Sequence, residues 1–156
     1  MKNTPQASFL APISVGRVKE VLSGNRIKLD NGIRVSLLGI SSPSSKDSRS
    51  GFSCFGIAAQ QYLESLIKNE YIFLRRDKSQ MNEDGDLLRY VFLPLNDKRG
   101  RENFINEQLI VDGYGKYLPS HIDTKYSNRL KQAQDFAYLH KQGGWNECIE
   151  DLLLKK

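Results

Sequence analysis

The sequence predicts an α+β fold, mainly β, with five strands and three helices, and three observations predict it. Short β-rich runs fall into two groups. Helical spacing of apolar residues occurs once between those groups and twice after them, and nowhere does strand alternate with helix as a parallel sheet requires. The 156 residues, 39% hydrophobic and 26% charged, suffice for one well-buried core and fall short of two.

Residues 1–13 carry Asn3, Thr4, Pro5, Gln6 and Pro12 without periodicity and read as an irregular leader. Val15, Arg17 and Lys19, set against Gly16, Val18 and Val21, predict the first strand, and Ile27 to Leu29 the second. Between the second and third strands, Asp30-Asn31-Gly32 predicts a tight two-residue hairpin turn, because Asn and Gly tolerate positive φ. The third strand runs from Ile33 to Ile40. The seven serines between Ser41 and Ser53 mark a polar loop.

Ala58, Ala59, Tyr62, Leu63, Leu66 and Ile67 recur at three- and four-residue spacing, which predicts an amphipathic helix lying on the sheet. Tyr71 to Leu74 and Leu88 to Leu93 flank the polar stretch 77–86 and predict a hairpin with a long connection. Asn106 is the expected N-cap of a short helix that stops before Gly113. The last helix covers about 126–142, with Leu130, Ala133 and Ala137 inward and Gly143-Gly144 ending it. The expected domain is 14–148, with 149–156 as a tail.

A net charge of +5 and a pI near 9.2 permit attraction to phosphate backbones or other anionic surfaces. Lys98-Arg99-Gly100-Arg101 is a basic loop that could touch phosphate, with a simply solvated cluster as the other reading. No run approaches the roughly 18–20 apolar residues of a membrane helix, and the N-terminus lacks a basic segment followed by an apolar one, so neither anchor nor signal is expected. Cys54 and Cys148 form no CxxC, and His121 and His140 stand apart, which argues against zinc. The count leaves both two separate thiols and one long-range disulfide open.

Six fragments, in order, resemble the staphylococcal nuclease (thermonuclease) family between Val15 and Trp145. Val21-Leu22-Ser23-Gly24-Asn25-Arg26-Ile27-Lys28-Leu29 is similar to V-x-D-G-D-T followed by alternating apolar residues. Arg34-Val35-Ser36-Leu37-Leu38-Gly39-Ile40-Ser41-Ser42-Pro43-Ser44 is similar to R-V-R-L-x-G-I-D-A-P-E. Cys54-Phe55-Gly56, Asp84-Gly85-Asp86-Leu87-Leu88-Arg89-Tyr90-Val91, the run from Asn106 to Gly115, and Gly143-Gly144-Trp145 complete the set. The resemblance implies a five-stranded OB-type barrel with three helices.

It also implies a chemistry: acidic side chains hold Ca²⁺, a carboxylate activates water, and two arginines neutralise charge on the phosphoryl oxygens. In this sequence the metal-binding aspartates fall on Asn25 and Ser41, the general-base glutamate on Ser44, and the arginines on Ser36 and Asp86. The resemblance therefore implies a domain without catalytic residues and without a tight Ca²⁺ site. Asp86, near Glu83 and Asp84, is expected to repel phosphate. Arg34 and Arg89 flank these positions, and only Arg34, on the same strand face as Ser36, is a candidate substitute, with an exposed strand-end arginine as the other reading.

The expected function is binding or scaffolding, with a protein, a larger assembly or nucleic acid as partner and Arg34, Lys98, Arg99 and Arg101 as the nucleic-acid contacts. A metal-dependent phosphodiesterase with a rearranged centre is the alternative. Relatives outside the cytoplasm carry cysteines at the places of Cys54 and Cys148, so the resemblance implies a bridge between them and an oxidising compartment. Tyr114, Tyr117 and Tyr126 are candidates for base stacking, with core packing as the other reading.

Overall fold

The computed structural model describes residues 13–42 and 55–147. Strand β1 (Ile13–Ser23) begins at the last residue assigned to the leader and is longer than the alternation suggests. It pairs with β5 (Tyr71–Arg75) through its first half and with β2 (Arg26–Leu29) through its second. A register irregularity between Val18 and Glu20 separates the two halves. The extra residue turns the strand from one sheet direction to the other, and it explains why Val18 and Val21, three apart, are both buried.

Strand β3 (Arg34–Leu37) pairs antiparallel with β2 and parallel with the start of β6 (Leu87–Pro94). Because β6 also pairs with β5, the order β3-β2-β1-β5-β6 closes on itself into a five-stranded mixed barrel. The fold class read from the sequence is thus the observed one. Closure leaves the barrel strands without free edges and gives Val18, Ile27, Val35, Ile72 and Val91 a common interior.

The structure corrects several details. The expected third strand ends at Leu37, and Ile40–Ser41 forms a separate short strand, β4, that pairs with β8 (Lys116–Tyr117). Strand β7 (Glu102–Phe104), not expected, extends β6 as a hairpin. The β2–β3 loop is closed by Leu29 N donating to Ile33 O at 2.8 Å and holds three residues, not two. Only its last residue, Gly32, takes a positive φ, 86°, as a type I turn followed by a left-handed glycine requires.

Helix α1 (Gly56–Ile67) buries Ala59, Leu63 and Ile67 against β1. Each large aliphatic side chain there stabilises the fold by about 1.5–3 kcal/mol. Helix α2 (Ile105–Val111) lies on β6 and packs against α3 (Ser127–Leu139), which buries Leu130, Ala133 and Ala137 as expected. Helix α3 ends at Leu139 with His140 as its C-cap, short of the expected Gly143-Gly144 stop. Gly144 instead opens a four-residue helix, α4 (Gly144–Glu147), which makes the helix count four among the described residues.

Asn106 is not an N-cap. It sits inside α2, fully buried, with Oδ1 accepting from Val91 N at 2.8 Å and Nδ2 donating to Leu38 O at 2.7 Å. The side chain occupies backbone groups of β6 and of the β3–β4 connection that would otherwise be buried unpaired.

Candidate functional site

Of the residues to which the metal and catalytic roles were assigned, the described ones lie in the β1–β2 turn, on β3, on β4 and in the turn before β6. Asn25 sits in the turn between β1 and β2. Its Nδ2 donates to Ile40 O at 3.1 Å, and its Oδ1 accepts from Ser23 Oγ at 3.0 Å. Its own carbonyl accepts from Leu37 N at 2.9 Å. These bonds bring Asn25 beside the strand that carries Ser41, which is exposed and paired with Lys116 in the β4–β8 ladder.

Among the described residues, this environment does not fit Ca²⁺. The Asn25 amide already spends both ends on protein partners, and a hard dication needs anionic oxygens to offset its dehydration. Among the described residues no group of three or more His, Cys, Asp or Glu side chains is placed to hold a metal. Ser44, assigned the general-base position, lies outside the described residues, as do Cys54 and Cys148.

Ser36 of β3 and Asp86, the residue before β6, meet. Ser36 Oγ donates to Asp86 Oδ2 at 3.0 Å, and the carboxylate is 0% exposed. Arg26 approaches it in a fork, Nε to Oδ2 at 2.7 Å and NH2 to Oδ1 at 3.2 Å. Arg34 Nε lies 2.9 Å from Oδ1, while its NH2 donates to Asp84 O at 2.6 Å. Two guanidinium groups and a hydroxyl thus converge on one buried anion.

Local sequence builds this arrangement. Arg26 and Ser36 are cross-strand partners in the β2–β3 ladder, and Ser36 faces Leu88 in the parallel ladder with β6. Asn82 ties the turn that presents the carboxylate, its Oδ1 accepting from Asp84 N at 3.0 Å and Asp86 N at 2.9 Å. Gly85 supplies the φ of 83° that the turn needs. Burial alone pushes the Asp86 carboxyl up, but the hydrogen bonds from Arg26 and Ser36 and the two guanidinium charges outweigh it and hold the group below its usual range. The anion is compensated, not exposed, and the repulsion of phosphate expected of a bare Asp86 is correspondingly reduced.

A model of the family described as "Staphylococcal nuclease homologue" matches residues 34–147. The chain belongs to the staphylococcal nuclease family. It is similar to the protein named thermonuclease from Staphylococcus hyicus, 26% identical over 136 residues that cover 83% of this chain and 75% of that protein.

The remaining expected site residues of this nuclease-family domain do not gather there. Lys98, Arg99 and Arg101 lie in the β6–β7 hairpin, at the opposite end of β6 from Asp86. Eight residues at about 3.3 Å each separate the two places by roughly 26 Å. Asp97 orders the hairpin: Oδ1 accepts from Arg99 N at 3.0 Å, and Oδ2 accepts from Arg101 Nε at 2.5 Å. All three are exposed, and Arg101 differs in being engaged by Asp97.

Arg89 is no substitute catalytic cation. It is 1% exposed, shares its strand face with Leu87 and Val91, and donates to Gln80 O at 3.1 Å and Leu88 O at 2.8 Å. Burial, with Arg76 nearby, lowers its pKa. The tyrosines pack as well. Tyr114 stacks between Phe55 and Tyr62, Tyr126 stands against Tyr90 and Phe104, and Tyr117 packs on the core. The Tyr62 hydroxyl donates to Asp112, and burial together with that bond pushes Tyr62 up to about 12.

Sequence reasoning missed Arg26 and Asn82. A signal for Arg26 existed: it follows Asn25 on a strand whose next inward residue is Ile27, so it must point outward beside Arg34. For Asn82, the D-G turn pointed to a tight loop but gave no sign of which side chain tied it.

Proposed function

We propose that this nuclease-family domain no longer cleaves phosphodiesters and serves as a binding or scaffolding module, with a protein or a nucleic acid as partner. The observation that carries the reading is the closed cluster at Asp86. The family resemblance assigns two phosphate-neutralising arginines to Ser36 and Asp86, and here those side chains bond to each other while Arg26 and Arg34 are engaged by the carboxylate. Losing one electrostatic stabiliser of this kind typically slows an enzyme about 10²–10³-fold. The assignments at Asn25, Ser41 and Ser44 remove the metal and the base as well.

The test is hydrolysis of single- and double-stranded DNA and of RNA with Ca²⁺ present. No cleavage above background is expected. Clear cleavage abolished by chelator supports the competing reading, a metal-dependent phosphodiesterase with a rearranged centre in which Arg26 and Arg34 replace the lost cations.

For nucleic acid as the partner, the supporting observation is the exposed pair Lys98 and Arg99 at the hairpin tip, with Arg34 contributing less while it is paired with Asp86. A retardation assay at low salt showing no retention removes nucleic acid and leaves a protein partner. The Cys54–Cys148 bridge, and the oxidising compartment it implies, are proposals of the same standing. Thiol titration of the denatured chain without reductant is expected to find no free thiol.

A further inference from the structure

We propose that Asp86 is an internal ligand: Arg26, Arg34 and Ser36 form a pocket for a tetrahedral oxyanion such as phosphate, and the chain's own carboxylate fills it. The inference rests on reading this end of the barrel as non-catalytic and adds how anion binding there is controlled.

The donor set is the one that small oxyanions select. Guanidinium forks match carboxylate and phosphate alike, two donors to two oxygens, and a hydroxyl adds a third direction. Arg26 gives a fork at 2.7 and 3.2 Å, Arg34 a contact at 2.9 Å and Ser36 one at 3.0 Å. These come from β2 and β3, whose pairing fixes their spacing whether or not the anion is present.

The two ends of the cluster differ in exposure. The Asp86 side chain is 0% exposed, whereas those of Arg26 and Arg34 keep 36% and 45% of their surface open. The arginines thus line a mouth and the carboxylate is its floor. An external phosphate must displace an anion that the Asn82 turn holds at high effective concentration. Without the Asp86 charge, both guanidinium groups lose their shared carboxylate, Asp84 remains the nearby anion acting on Arg26, and an incoming oxyanion restores the lost compensation.

The experiment measures inorganic phosphate binding against chloride at matched ionic strength, in the wild-type protein and in Asp86→Asn, Asp86→Ser and Asp86→Asn/Arg34→Gln, each checked for folding by circular dichroism. Folded Asp86→Asn or Asp86→Ser is expected to bind phosphate at least about tenfold more tightly than wild type, and Arg34→Gln to remove the gain. Folded Asp86 variants that bind no better than wild type overturn the proposal.

A second measurement needs no variant to fold. In the wild-type protein the side-chain Nε–H resonances of Arg26 and Arg34 are expected not to move saturably with phosphate, and a saturable shift overturns the proposal. Nucleic-acid cleavage by the wild type would contradict the non-catalytic reading without altering either phosphate result, so the two failures are distinguishable.

Discussion

Ser36 and Asp86, fifty residues apart in sequence, meet through a 3.0 Å hydrogen bond from the Ser36 hydroxyl to the Asp86 carboxylate. The contact exists because β3 runs parallel to β6 and places Ser36 opposite Leu88. The pairing that closes the barrel therefore also assembles the cluster, and stability and anion chemistry share residues there.

Replacing Asp86 by Ala should destabilise the fold by about 1–3 kcal/mol. The loss stays below that of a fully buried pair because Arg26 and Arg34 remain partly hydrated and can turn to water. Urea unfolding should show a lower midpoint with an unchanged slope.

The same residue gives a pH dependence. Its folded pKa is depressed, so the stability it contributes is full above the unfolded value, about 3.9, and is lost as pH falls through the folded one. The stability gap between wild type and Asp86→Asn should be constant near neutrality and shrink progressively below about pH 4. Unfolding curves recorded across that range check it.

Asn106→Leu should be among the most damaging single changes. It leaves Val91 N–H and Leu38 C=O buried without partners, at about 1–3 kcal/mol each. Asn106→Ser, small enough to admit water, should recover part of the loss. Denaturant titration of the two variants compares them.

How much of this was legible in the sequence varies with the range of the interaction. Alternation and turn residues located β2, β5 and β6 because each needs only its own period and a Gly or Asp nearby. The bulge in β1 and the split at Leu37 were not legible, since each answers to the closure of a barrel whose partner strands lie far along the chain. Asn106 misled for a similar reason: a capping bond is local, but its actual partners are 15 and 68 residues away. At the site, the resemblance could assign Ser36 and Asp86 to family positions, whereas the compensation of Asp86 by Arg26 required the β2–β3 register.

If the hairpin tip contacts phosphates, Lys98→Gln and Arg99→Gln should each lower the slope of log affinity against log salt by about 0.7 for single strands. Arg101→Gln should change that slope less, because its guanidinium is already held by Asp97. Retardation assays across a salt series separate the three variants.

Calcium should leave the melting temperature unchanged, because a ligand stabilises only by its preference for the folded state and Asn25 offers no carboxylate. Thermal unfolding with Ca²⁺ and with chelator checks this.

The central claim is tested most directly by a crystal structure determined with Ca²⁺ and a nucleotide present. The account predicts Asp86 still lodged between Arg26 and Arg34 and no metal beside Asn25 and Ser41. A calcium ion there, with a nucleotide phosphate in place of the Asp86 carboxylate, would contradict it.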